Sequence, residues 1–220
     1  MPEMQETLSS MSHLAGAVAF SGLGVALVRR GRGHFWRMAS LAAFALSSVL
    51  LLSVSGVYHM ASPDGASREI LQRLDHAAIF ALIAGTFTPV HAILFRGVWR
   101  WGMLAGIWTV AIAGIVLKTV YFDAIPEWVG LAIYLAFGWI GVFSWTALAR
   151  RFGMRFARPA LWGALAYTLG AVVDFLRWPV LVPGVLGAHE LFHLAVLAGV
   201  SFHWHFIFKF ATHEPHAAAL

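Results

Sequence analysis

The chain of 220 residues contains no cysteine, only ten acidic residues, and a charged fraction of 11%. Without cysteine there are no disulfides and no thiolate metal sites, so any metal must be held by nitrogen and oxygen. Histidine-rich nitrogen sites suit zinc, with copper, iron and nickel as alternatives. A soluble domain carries about 25% charged residues. The shortfall leaves too little polar surface to clothe a soluble globule of this length. Met1 to Ser12 holds no Lys or Arg, and a cleavable secretory signal needs a basic start. That stretch, with Glu3 and Glu6, reads as a short polar tail before the first membrane helix. Repeats of 20–50 residues, low-complexity tracts and inter-domain linkers are also missing. Residues 1–220 therefore read as a single integral membrane domain.

Apolar residue types make up 60% of the chain, and the mean hydropathy is +0.77. A membrane helix needs about 20 mostly apolar residues. Seven stretches qualify, at roughly 10–28, 38–60, 74–95, 98–119, 128–149, 159–176 and 189–210. The expected fold is all-α, a bundle of seven transmembrane helices. The breaks are physically sensible. Arg29-Arg30-Gly31-Arg32-Gly33 is charged and flexible, and Ser62-Pro63-Asp64-Gly65 is turn chemistry. Pro126 and Pro159 sit near helix starts, where a missing N–H matters least. Trp178-Pro179 and Pro183-Gly184 precede the last helix. Small residues such as Gly102, Gly106, Gly163 and Gly170 let membrane helices approach closely.

The formal charge of +5 comes mostly from arginines between the apolar stretches. Such residues set orientation and meet anionic lipid headgroups. No recognition module or soluble basic face points to nucleic acid. With seven crossings, one side of the membrane receives Arg29, Arg30, Arg32, Arg37, Arg96, Arg100, Arg150, Arg151, Arg155, Arg158 and Lys209. The other receives Arg68, Arg73, Lys118 and Arg177. The positive-inside rule then places the N-terminus outside and the C-terminus in the cytoplasm.

Polar groups are costly in a bilayer and mark function by default. His189 and His193 open the last stretch, and residues four apart share a helix face. The second stretch ends in Ser55-Gly-Val-Tyr-His59, and the third opens with Leu74-Asp75-His76. Counting crossings puts Ser55, His59, Asp75, His189 and His193 at one depth near one face. Three imidazoles plus a water make the open tetrahedral arrangement of a catalytic zinc. A nearby carboxylate can hold that water and take its proton.

Blander readings exist for each residue. A lone membrane histidine is more often a helix–helix hydrogen bond or an interfacial group. Asp75 near a helix N-terminus can complement the helix dipole, and Ser55 can bond back to its own helix. His189-Glu190-Leu191-Phe192-His193 also matches H-E-x-x-H, in which the glutamate is the general base of a metalloprotease. Intramembrane metalloproteases complete the metal site with a later aspartate motif, and nothing acidic follows the pair here except Glu214 in the tail. His203 and His205 lie about 15 Å beyond His193 at 1.5 Å per residue, which suggests an interfacial role. His13, His34, His91, His213 and His216 have no evident partner. Asp174 and Arg177, three apart, are expected to pair. The ten tryptophans read as interfacial anchors and packing.

Four stretches resemble the haemolysin III family, the bacterial branch of the progestin and adipoQ receptor family, with a more distant similarity to alkaline ceramidases. They are Ser55-Gly-Val-Tyr-His59; Leu74-Asp75-His76-Ala-Ala-Ile-Phe-Ala-Leu-Ile-Ala-Gly-Thr-Phe-Thr-Pro89; Tyr167-Thr-Leu-Gly170; and His189-Glu-Leu-Phe-His193. The resemblance implies a seven-helix fold with zinc held by His59, His189 and His193. It implies that Asp75 touches the water at that metal and that Ser55 sits beside it. The family often carries a glutamate followed by asparagine before its first helix, whereas Glu6 is followed by Thr7, Leu8, Ser9 and Ser10. Family orientation places the N-terminus and the metal site on the cytoplasmic side, opposite to the charge bias.

The expected function is that of a multi-pass protein of the bacterial cytoplasmic (inner) membrane. Its expected partners are membrane lipids, and its expected activity is zinc-dependent hydrolysis of a lipid amide. The alternatives are a receptor-like or membrane-homeostasis protein with structural zinc, and a haemolysin-type pore former. A catalytic metal needs an open position, whereas a structural one has a fourth protein ligand.

Overall fold

The computed structural model describes residues 2–62 and 65–212. Pro63 and Asp64 of the expected turn, and His213, Glu214 and His216 of the tail, lie outside the described residues. The described chain is helical nearly throughout: α1 (Pro2–Arg29), α2 (Phe35–Met60), α3 (Ala66–Leu94), α4 (Gly97–Val120), α5 (Glu127–Trp139), α6 (Gly141–Phe152), α7 (Met154–Leu176) and α8 (Ala188–Phe210), with a short 3-10 turn at Phe122–Ala124. Among the described residues seven spans are long and apolar enough to cross a membrane; α5 and α6 together make one of them, Glu127–Phe152.

The burial pattern explains how the helices face the site. On α2 the buried Phe44, Ser48, Leu51, Ser55 and His59 recur at helical steps of three or four, so one stripe points inward. That stripe carries the serine and histidine to the interior at the end of the helix. On α8 the buried Glu190, His193, Val196 and Val200 form the matching stripe. The opposite faces are apolar and open: Val18, Leu46, Val98 and Leu169 are each more than 60% exposed. Outward apolar faces are what a helix presents to lipid.

Neighbouring helices pack in sequence from α1 to α4, α6 packs on α7 and α7 on α8, and α8 returns to α1 to close the ring. The main core runs through α1, α2, α3 and α8 with Phe44, Leu52, Leu94, Val200 and Phe206, and a smaller cluster joins α3 to α4 and α5 around Phe80 and Phe137. Two glycines near the site permit close helix approach. A Cβ on Gly56 would lie 2.6 Å from Leu14 Cγ, and one on Gly170 would lie 2.5 Å from Ala195 Cβ. In lipid such close packing, rather than exclusion of water, holds helices together.

Three expectations about boundaries need correction. The polar tail is helix: α1 begins at Pro2, because its polar residues find buried partners. Ser10 donates to the Gly56 carbonyl at 2.8 Å, and Ser9 donates to Glu190 at 3.3 Å. The third helix begins at Ala66 rather than near 74. Residues 66–73 are good helix formers, and Glu69 and Arg73 pair at 2.6 Å across one turn. Hydropathy misses polar helical turns that extend an apolar span. Asp75 therefore lies more than two turns inside α3, and the helix-dipole reading of it fails. The sixth span begins at Met154, which puts Pro159 inside α7. Proline has no N–H to donate to the Arg155 carbonyl, and the Lys209 ammonium approaches that oxygen at 3.4 Å instead.

Candidate metal centre

Five helices bring polar side chains to one end of the bundle. α2 contributes His59 in its last turn, and α8 contributes His189 and His193 in its first two turns. The Nε2 atoms of His59 and His189 stand 3.3 Å apart, and those of His189 and His193 stand 3.1 Å apart. One ring nitrogen from each of the three lies within 4.8 Å of the others. Imidazole nitrogens about 2.0–2.1 Å from a tetrahedral zinc are separated by about 3.3 Å. The donor set and spacing therefore fit a metal ion, and these three histidines can hold one. His59 and His193 are buried and His189 is half-buried.

The far side of two rings is also occupied. Glu6 Oε2 lies 2.6 Å from His59 Nδ1, and Asp174 Oδ1 lies 3.1 Å from His189 Nδ1. An ionised carboxylate can only accept, so the proton of each neutral ring sits on Nδ1. The Nε2 lone pairs then face one another. Lone pairs converging at this distance repel unless a proton or a metal ion lies between them.

Asp75 and Ser55 meet as a pair. The Ser55 hydroxyl and the Asp75 carboxylate are close enough to interact, and the carboxylate lies within electrostatic reach of His189. Asp75 is not one of the groups converging within 4.8 Å, so the three histidines form the candidate ligand set without it. Glu190 is engaged elsewhere. Its Oε2 accepts the Gly187 N–H at 2.8 Å, and its other oxygen accepts from Ser9. That is the reach-back half of a helix-start capping box, a structural employment that disfavours the protease reading.

Several histidines without an evident partner in the sequence have one. The His13 ring packs 4.0 Å from that of His193, and its Nε2 meets the His193 carbonyl at 3.3 Å. His91 is fully buried between Phe87 and Phe95. It bonds the Trp99 carbonyl at 2.7 Å and Ser144 Oγ at 2.9 Å. His203 is not simply interfacial: it stacks on Tyr167 and bonds the Gly199 carbonyl at 2.9 Å. Asp174 is 3.7 Å from Arg177, as sequence spacing suggests. Arg177 makes its closer contact, 3.0 Å, with Glu127, and Asp174 serves His189.

Glu6 and Asp174 are the residues that sequence reasoning missed. A signal existed for each. Glu6, Ser9, Ser10 and His13 form a polar stripe at helical spacing ahead of an apolar run. Asp174 is an acid inside a membrane span, where such a group is functional by default.

The fold and site together define a class: an all-helical, multi-pass membrane protein with a three-histidine centre at one end of its bundle. Comparison with known proteins narrows it. The family model described as haemolysin-III related matches residues 2–204, and the chain belongs to that family. It is 29% identical over 197 residues to Hemolysin-3 of Bacillus cereus, covering 89% of this chain and 86% of that protein. It is 30% identical over 168 residues to the Hemolysin-3 homolog of Bacillus subtilis (strain 168), covering 76% and 75%. A more distant likeness, 26% over 233 residues, links it to the Adiponectin receptor protein of Drosophila melanogaster, spanning 95% of this chain and 51% of that one.

Proposed function

We propose that this chain is a zinc-dependent hydrolase of lipid amides in the bacterial inner membrane, with His59, His189 and His193 as the metal ligands. The observation that carries the reading is that His189 Nε2 lies 3.3 Å from that of His59 and 3.1 Å from that of His193, with one nitrogen of each ring within 4.8 Å of the others and the Asp75 carboxylate within electrostatic reach. Zinc held there would polarise the amide carbonyl and bring the pKa of water toward about 7. The chain's own residues do the rest. Asp75 orients a water and takes its proton, while the Ser55 hydroxyl fixes the carboxylate's direction. The water oxygen bonds to the acyl carbon, the carbon–nitrogen bond breaks, and Asp75 returns the proton to the leaving amine. The products are a fatty acid and an amine. The exposed apolar flanks of the helices leave the substrate's chains in the lipid phase, so only the polar amide has to reach the centre.

A receptor-like role with structural zinc is the second reading, favoured by the likeness to a protein named as an adiponectin receptor. A pore is disfavoured. The polar groups of the site gather at one end, and the deeper His91 and Ser144 bond each other instead of lining a path. The test is purified protein loaded with zinc and offered a panel of lipid amides, with fatty-acid release read by mass spectrometry. Release that disappears with the metal supports the enzyme. No release from any amide, with zinc bound stoichiometrically, moves the structural-zinc reading ahead.

A further inference from the structure

Each metal-facing histidine of one pair is backed by a carboxylate from a helix that supplies no ligand. Glu6 comes from α1 and Asp174 from α7. Each carboxylate is itself restrained by an arginine. Arg68 donates to Glu6 Oε1 at 3.0 Å and to the Ala61 carbonyl at 2.8 Å, and it lies 4.9 Å above the Tyr58 ring. Arg177 flanks Asp174 at 3.7 Å. The two acids are thus held in place independently of the histidines they meet.

We propose that Glu6 and Asp174 are positioning residues of the histidine centre, which hold the Nδ1 protons of His59 and His189 so that both Nε2 lone pairs face the metal position. This rests on the metal reading above. The chemistry is specific. A neutral imidazole has one proton and one lone pair, and only the tautomer protonated at Nδ1 can ligate through Nε2. A carboxylate behind the ring selects that tautomer, fixes the ring's rotation and makes the ligating nitrogen more basic. A salt link that merely tied helices together would have no reason to end on the rear nitrogen of two adjacent ligands. The first turns of α1 thereby become part of the metal centre, although the sequence there reads as a polar tail.

The experiment uses the full-length protein in detergent. Zinc affinity is measured by competition with a chromophoric chelator for wild type, Glu6→Ala, Glu6→Gln, Asp174→Ala and Asp174→Asn. Glu69→Gln, a surface carboxylate paired with Arg73, is the control. Each alanine variant should bind zinc about 10–100-fold more weakly, the usual cost of losing such a partner. The amide variants keep an oxygen acceptor without the charge and should fall between alanine and wild type. In cobalt-loaded protein the visible ligand-field bands of Glu6→Gln and Asp174→Asn should shift, while helical content and the apoprotein's melting stay at wild-type values. A purely structural acid would do the reverse, lowering melting and leaving the cobalt spectrum alone. Affinities within about twofold of wild type with unchanged cobalt bands, against the loss expected here, overturn the inference and leave the metal reading standing. A wild type that binds no zinc overturns both.

Discussion

His59 and His189, 130 residues apart in the chain, face each other through their Nε2 atoms at 3.3 Å. Nothing local brings them together. The contact exists because α2 ends and α8 begins at the same end of the bundle, each with its polar stripe turned inward.

Metal content follows from that contact. His59→Ala, His189→Ala and His193→Ala should each lose most of the zinc per chain measured by elemental analysis. His203→Ala should keep it, since His203 is about 15 Å along α8 from His193 and engages Tyr167. Near-stoichiometric zinc in all three site variants would sink the centre.

Asp75 should separate chemistry from metal holding. The three histidines suffice as ligands, and Asp75 stands outside their cluster. Asp75→Asn keeps the shape and the contact with Ser55 but removes the proton acceptor, so zinc and fold should survive while amide hydrolysis falls by about 10²–10⁴-fold. Glu190→Gln keeps an oxygen for the Gly187 N–H and should change the rate far less. An inactive Glu190→Gln beside an active Asp75→Asn would assign the base to the wrong carboxylate.

Orientation pits the charge bias against the family resemblance. Ser67 is exposed at the start of α3, on the side of the metal centre. The chain has no native cysteine, so a Ser67→Cys variant gives a clean background. Family orientation predicts that a membrane-impermeant thiol reagent labels it only after cells are permeabilised. Labelling of intact cells would establish the orientation given by the arginines.

His91 should matter for stability alone. It is fully buried, and both ring nitrogens are used, on Trp99 and Ser144. His91→Phe fits between the same aromatic rings but strands the Trp99 carbonyl and the Ser144 hydroxyl. The cost should be about 1–3 kcal/mol for a buried polar group left unpaired, read as a lower melting temperature, with zinc content unchanged. A shared loss of zinc would show that the deeper network supports the centre.

Much of the fold was legible because lipid imposes a simple rule: a spanning helix must be long and apolar, and both properties are local. The depth of His59, Asp75 and His189 was legible too, since counting crossings fixes which ends share a side. Boundaries were less so. The starts of α3 and α1 are polar helical turns supported by Arg73 pairing with Glu69 one turn away and with Asp123 on the 3-10 turn, and by Ser9 and Ser10 finding partners on other helices. Hydropathy does not record such partners.

The sequence by itself determined the class of protein, the nitrogen–oxygen character of any metal site and the three histidines able to form it. Periodicity, composition and the missing cysteines depend on no distant contact. Only the tertiary structure decided that Glu6 stands behind His59, that Asp174 serves His189 rather than Arg177 alone, that Glu190 is tied to Gly187 and Ser9, and that Asp75 neighbours Ser55. Each depends on how helices far apart in the chain rotate and cross. Those angles are set by side-chain packing at glycines such as Gly56 and Gly170, where a single methyl group would push the helices apart.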